Sequence, residues 1–198
     1  MNSHEAFDFF DLADRQRAHR CFTAEAVPAH IIEKLLTTAT RAPSAENSQP
    51  WEFIVVTNAD LRAQLGDLMR QQWLDARAFS ESRLCSQLFA EVDAGLGEGG
   101  IAKAPALIVA AADTRKVHRA AIASSIFPAI QNLLLGATAL GLGSALTTIA
   151  TMNAKGLRML LDIGEHLDPV ALIPIGYPPK TLGRSRREPA TTRTTWRR

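Results

Sequence analysis

Apolar residues recur along this chain with two different periods, and the switches between them mark out its elements. Over residues 28–41 they fall at Ile31, Ile32, Leu35, Leu36 and Ala39, one face of a helix with Pro28 in its first turn. "WEFIVVT", residues 51–57, is instead a short β-branched run and predicts a buried strand. "PALIVAAA" (105–112) and "PVALIPIGYP" (169–178) predict two more. Between the first two strands, the mixed polarity from residue 60 to about 90 predicts helix in two pieces, and "GLGEGG" (95–100) predicts a flexible loop. Residues 117–140, with "AIQNLLLGATAL", predict an unusually apolar and therefore central helix, and a further helix is expected near 153–163. Hairpin signals are sparse. The mixture predicts an α/β or α+β sandwich with its sheet covered on both faces.

Composition adds bounds rather than a function. A chain of 198 residues with 46% hydrophobic and 21% charged residues suits one domain over 1–198. No run of about 18 apolar residues predicts a membrane span, and the acidic start "MNSHEAFDFFDLADRQR" lacks the pattern of a signal peptide. Cys21 and Cys85 are far apart, read as packing residues, and fit a reducing cytoplasm. The net charge of +2 hides a basic tail: residues 184–198 hold six arginines against Glu188, leaving 16 basic and 19 acidic residues elsewhere. That body does not read as a nucleic-acid-binding surface.

Several familiar chemistries are absent. "GLGSA" (141–145) follows a helix rather than a strand, so Gly141 reads as a helix C-cap and not as part of a dinucleotide fingerprint. There is no phosphate-cradling P-loop and no G-x-S-x-G elbow, and the five histidines have no metal-binding spacing. Three polar clusters remain: "RQRAHRCF" (15–22), "PSAENSQPW" (43–51) and "GRSRREP" (183–189). Arginines from both ends of the chain suit one phosphate, where guanidinium groups bond in bidentate fashion. Ser44, Asn47 and Gln49 either satisfy their own loop backbone or serve a ligand edge.

Together these clusters resemble the nitroreductase family of FMN-dependent oxidoreductases. "QRAHRCFTAEAVPAHIIEKLLTTATRAPSAENSQPWEFIVVT" is similar to that family's opening pattern, R-R-S-x-R-x-F, a Val-Pro helix and A-P-S-x-x-N-x-Q-P-W. The likeness continues through "AIQNLLLGATALGLGSALT" and "IPIGYPPKTLGRSRREP", so it spans residues 16–189. It implies an α+β sandwich with a central mixed, mainly antiparallel sheet, covered by helices on both faces, and a homodimer with FMN at the subunit interface. By position, Arg17 and Arg20 fall where the family holds the FMN phosphate and the flavin pyrimidine edge. Pro43, Ser44, Asn47 and Gln49 match the loop that meets the isoalloxazine, often from the partner subunit. Thr147, Thr148 and Ile149 match the segment whose backbone N–H faces flavin N5, and Arg186 and Arg187 match the basic pair that closes on the phosphate.

The implied reaction is ping-pong: a hydride from NADPH or NADH passes through flavin N5 to an electron-poor small molecule such as a nitroaromatic or a quinone. Dehydrogenase, dehalogenase and flavin-fragmenting activities belong to the same fold, and the rival class is a non-catalytic flavin-binding or storage protein with a blocked nicotinamide slot. A structural domain without flavin is a third. Gln16 replaces the usual first arginine, Ala18 replaces a serine that helps hold the flavin, and the tail lacks the usual acidic residues. Arg15 or the C-terminal arginines are the candidates to compensate for Gln16. Trp73, Phe79 and Phe89 are weighed as an acceptor slot against the commoner role of core packing.

Overall fold

Strand β2, Ala106–Asp113, is buried at every position and sits inside a four-stranded sheet. The computed structural model describes residues 8–185 and 187–197. The sheet order is β1-β2-β4-β3, with β1 at Trp51–Val56, β3 at Gly143–Ser144 and β4 at Leu167–Gly176. Among the described residues every strand pair is antiparallel, and one parallel bridge from Ala18 to Ser144 makes the sheet mixed. The family-implied α+β sandwich is therefore present.

Because side chains alternate across a strand, β2 feeds two apolar cores. Ala106, Ile108, Ala110 and Ala112 join one with helix α2 (Ala29–Ala39) and helix α5 (Ile122–Ala139). Leu107 and Val109 join the other, with Leu65, Met69 and Trp73 of helix α3 (Ala59–Glu81) and Leu157 of helix α6 (Ala154–Leu161). Leu35 of α2 and Ile126, Ala129, Ile130 and Leu133 of α5 are wholly buried, so the stripe of α2 packs on α5 and α5 in turn covers the sheet. Asn58 caps α3 by accepting the Leu61 N–H at 2.9 Å. Gly141 ends α5 with φ of 72°, and the Leu142 N–H reaches the Ala137 carbonyl at 2.9 Å, a Schellman closure.

The segment Arg119–Ala139 is long and apolar enough by composition to cross a membrane, with mean hydropathy 1.4. In the fold its apolarity is used between α2 and the sheet. The remaining helices are α1 at Phe9–Arg15 and α4 at Ser86–Leu96. The stretch 60–90 is helical in two pieces as expected, and β3, only two residues long, was too short for any periodicity to reveal.

The register fixes which loops share an end of the sheet. Trp51 pairs with Ala112, and the Asp113 N–H reaches the Pro50 carbonyl at 2.7 Å, so the loop 43–50 sits at the Asp113 end. Ala106 pairs with Ile175, and Ser144 with Ile175, so β3 and the end of β4 lie at the other. Eight residues of strand separate the two ends by roughly 23 Å.

Candidate functional site

The arginine segment near the N-terminus lies along the Ala106 end of the sheet. His19 N–H donates to the Ser144 carbonyl at 2.8 Å, and Thr23 N–H to the Tyr177 carbonyl at 2.9 Å. Arg17 Nη1 reaches the Gly183 carbonyl at 3.3 Å, which ties the segment to the start of the basic tail. His19 points into the fold, where a Cβ on Gly143 would stand 2.9 Å from the His19 Cγ. Burial pushes its pKa down, and Nδ1 faces the Arg17 carbonyl at 3.1 Å as its donor.

Arg20 is packed just as closely. A Cβ on Gly95 would lie 2.9 Å from the Arg20 Cδ, and one on Gly100 would lie 2.6 Å from the Arg20 carbonyl oxygen. The stretch 95–100 is thus a fitted cover over Arg20 rather than the flexible loop its glycines suggested, and Gly95, Leu96, Gly100 and Ile101 are buried. Half-buried Arg20 makes no hydrogen bond or ion pair among the described residues. Burial lowers its pKa, with Glu91 and Cys21 opposing, yet an arginine remains charged.

Around this cation is a cleft of ≈ 420 Å³. Residues 18–21 form one side, Ala90, Glu91 and Ala94 of α4 a second, and Lys180 and Leu182 a third. Gln87 Nε2 donates to Glu91 Oε1 at 3.3 Å along the α4 face. The exposed Cys21 lines the same cleft, and Cys85 is exposed too, so neither cysteine is the packing residue expected. The α4 wall is fixed by Asp93, whose carboxylate receives the Trp73 indole N–H and the Arg77 guanidinium. Trp73 is 3% exposed and packs against Phe89 at 6.1 Å, so these two are core, while Phe79 is exposed beneath the Arg83 guanidinium.

The compensation expected for Gln16 is largely committed elsewhere. Arg15 pairs with Asp11 at 2.6 Å, and Arg184 bridges Asp11 at 2.7 Å and Asp14 at 3.0 Å. Arg193 pairs with Glu188. Arg187 is exposed, and Arg186 lies outside the described residues.

The loop carrying Pro43, Ser44, Asn47 and Gln49 is at the far end of the sheet. Glu46, Asn47 and Gln49 have φ of 55°, 53° and 46°, three left-handed non-glycine residues within four positions. Ser44 Oγ accepts the Gln49 N–H at 3.0 Å, Gln49 Nε2 donates to Asn47 Oδ1 at 3.3 Å, and Ala45 N–H reaches Ser125 Oγ at 3.1 Å. Such strain clusters where a loop is shaped for a purpose.

Thr147 lies between the two ends, exchanging backbone bonds with Leu172 at 3.0 and 2.8 Å. Its Oγ1 accepts the Ile149 N–H at 3.3 Å, which leaves the Thr148 N–H without a partner among the described residues. The fold therefore joins Arg17, Ala18 and Arg20 to the 179–185 strap, and does not bring Pro43, Ser44, Asn47 or Gln49 to them within one chain. Ser125 and the close-approach role of the paired glycines went unread in the sequence; the spacing of Ala90, Ala94 and Gly95 on one helix face was the available signal for the glycines.

Comparison with known proteins adds a family context. A model described as the nitroreductase family matches residues 13–177. A Methanothermobacter thermautotrophicus protein named as a candidate NADH dehydrogenase/NAD(P)H nitroreductase is 28% identical over 178 residues, 89% of this chain and 80% of its own. An iodotyrosine deiodinase of Haliscomenobacter hydrossis is 25% identical over 178 residues, covering 86% of this chain and 79% of its own. The crystal structure of a candidate nitroreductase from Desulfovibrio desulfuricans, in complex with FMN, shares the fold with a TM-score of 0.73. It is 23% identical and covers 100% of this chain and 98% of its own.

Proposed function

This chain belongs to the nitroreductase family, and on that premise we propose that it is an FMN-dependent oxidoreductase drawing electrons from NADPH or NADH. The acceptor is an electron-poor small molecule such as a nitroaromatic or a quinone. One observation carries the reading: Arg20 is half-buried, charged and, among the described residues, without a hydrogen bond or ion pair, in a cleft built around it. A desolvated guanidinium left unpaired is costly, and an anionic or carbonyl-bearing ligand removes that cost. The donor set fits FMN, whose phosphate and pyrimidine carbonyls are acceptors only.

FMN, when bound, supplies hydride transfer at N5. Arg20 would meet the pyrimidine edge and stabilise negative charge there without reorganising. Arg17, Arg186 and Arg187 are assigned to the phosphate. Ala18 offers only its backbone where a hydroxyl is usual. Of Thr147, Thr148 and Ile149, the Thr148 amide is the one without a partner among the described residues and would meet the flavin. Pro43, Ser44, Asn47 and Gln49 lie roughly 23 Å away along β2, so they complete the site from a second copy of the chain. That separation supports the homodimer. No nucleic-acid or membrane partner belongs to this reading, and a cytoplasmic setting fits its electron donor.

The test is anaerobic mixing of the purified yellow protein with NADH and, separately, with NADPH. Bleaching of the oxidised-flavin band is expected with one or both. Retention of colour with both sinks the reductase reading in favour of a flavin-binding or storage protein. A second reading, reductive dehalogenation, is favoured by the deiodinase relative, and iodide release from an iodinated phenol under the same conditions would mark it.

A further inference from the structure

We propose that Ser125 is a positioning residue that sets the conformation of the flavin-facing loop without touching the flavin. This rests on the oxidoreductase reading above, since the loop's ligand is the proposed FMN. Ser125 is fully buried on α5, and its side chain uses both of its capacities. Its hydroxyl donates to the Ala121 carbonyl at 2.8 Å and accepts the Ala45 N–H at 3.1 Å. The second tie of this loop to the body is the Asp113 N–H on the Pro50 carbonyl at 2.7 Å.

Between these two anchors stand the left-handed residues Glu46, Asn47 and Gln49. L-residues resist that conformation and hold it only where the surroundings over-determine it. The loop's own bonds, Asn47 N–H to Ser44 O at 3.1 Å and Ser48 N–H to Ala45 O at 3.0 Å, tighten the turn but do not orient it. Orientation comes from the buried hydroxyl at one end and the strand at the other. Helix α5 has no need of that hydroxyl for itself. Ser124, one position earlier, makes a similar bond to the Ala121 carbonyl at 3.0 Å while exposed. Of the two serines, Ser125 reaches across to the loop and Ser124 does not.

The decisive comparison uses full-length Ser125→Ala and Ser125→Cys, the first emptying the site and the second filling it with a larger, poorer acceptor, with Ser124→Ala as control. FMN affinity is measured by flavin fluorescence, and the reduction midpoint is measured at saturating FMN. Both Ser125 variants should bind FMN roughly tenfold more weakly, the worth of a buried N–H left without its acceptor, and should reduce at a more negative midpoint. Ser124→Ala should match the unaltered protein on both counts. An unaltered protein that takes up no FMN defeats the oxidoreductase reading itself. Flavin binding in the unaltered protein, with affinity and midpoint unchanged in both Ser125 variants, overturns the role of Ser125 alone. A purely structural hydroxyl would lower thermal stability and leave the midpoint of the saturated protein where it was.

Discussion

The Trp73 indole Nε1 donates to Asp93 Oδ1 at 2.7 Å, and Arg77 reaches both oxygens of that carboxylate at 3.2 Å. One acidic side chain thus hangs α4 from α3, with Phe89 packed on Trp73 and 5.0 Å beneath the Arg77 guanidinium. Trp73→Phe deletes the donor and also empties part of a buried site, and is expected to cost about 2–4 kcal/mol, seen as a fall of about 4–16 °C in Tm. Because α4 walls the cleft, KM for the acceptor should rise more than kcat falls. An unaltered Tm and KM would show that the indole bond holds nothing in place.

Arg20→Ala separates stability from cofactor retention. The guanidinium makes no hydrogen bond or ion pair among the described residues, so the FMN-free protein should lose only the packing of the Arg20 stem against Gly95, about 1–2 kcal/mol. Flavin affinity should drop by about 10–100-fold, the worth of a charge-assisted bond. Differential scanning with and without added FMN reads both quantities. A large destabilisation without FMN would assign Arg20 a structural role instead.

Gly100→Ala should harm the cleft through backbone contact. The added Cβ would meet the Arg20 carbonyl at 2.6 Å and the Ala94 carbonyl at 2.8 Å, and neither backbone yields easily. A loss of about 1–3 kcal/mol is expected for such overpacking. Gly99→Ala is the useful neighbour: its φ of 75° is left-handed but its surroundings are open, so strain alone acts there. Chemical denaturation that ranks Gly99→Ala well below Gly100→Ala would contradict the packing account.

Acid stability should depend on Asp113. Its carboxylate is 1% exposed, and Arg115 beside it holds the group well below the usual carboxylate range, against the opposing effect of burial. The unfolded chain, with a carboxylate pKa of about 3.9, therefore binds the proton first. Asp113 contributes its stabilisation in full above that value and loses it progressively as pH falls toward the folded pKa. The Asp93 carboxyl, lowered first by Arg77 and then by Trp73, adds to the same slope. Asp113→Asn should flatten the fall of Tm below about pH 4; an undiminished slope would point to other carboxylates.

What was legible in the chain follows from how each residue is used. Burial of "PALIVAAA" and the stripe of Ile31, Ile32, Leu35 and Leu36 are statements about period, and both elements formed where expected. Gly141 was readable because a helix end needs a left-handed residue. Gly95 and Gly100 were not, since one letter serves both for mobility and for close approach, and only Arg20 lying beneath them decides which. Arg15 and Arg184 misled for a related reason: their carboxylates, Asp11 and Asp14, sit in a helix that the apolar pattern never marked. Ser125 hid inside an apolar helix, where a lone serine reads as tolerated polarity until its acceptor role is seen. The polar motif at 43–51 pointed to a ligand loop, yet nothing in its letters said that β2 would hold it a strand's length from the arginines.

That strand-length separation has a consequence in solution. If the proposed flavin site takes its halves from opposite ends of β2 in two copies, it obeys mass action in the protein itself. On the proposed reading, diluting the chain should bleed off its yellow colour even at constant free FMN, and concentrating it should restore the colour. The cofactor then works as a gauge of self-association: its occupancy should rise with protein concentration along the same curve as the molecular mass.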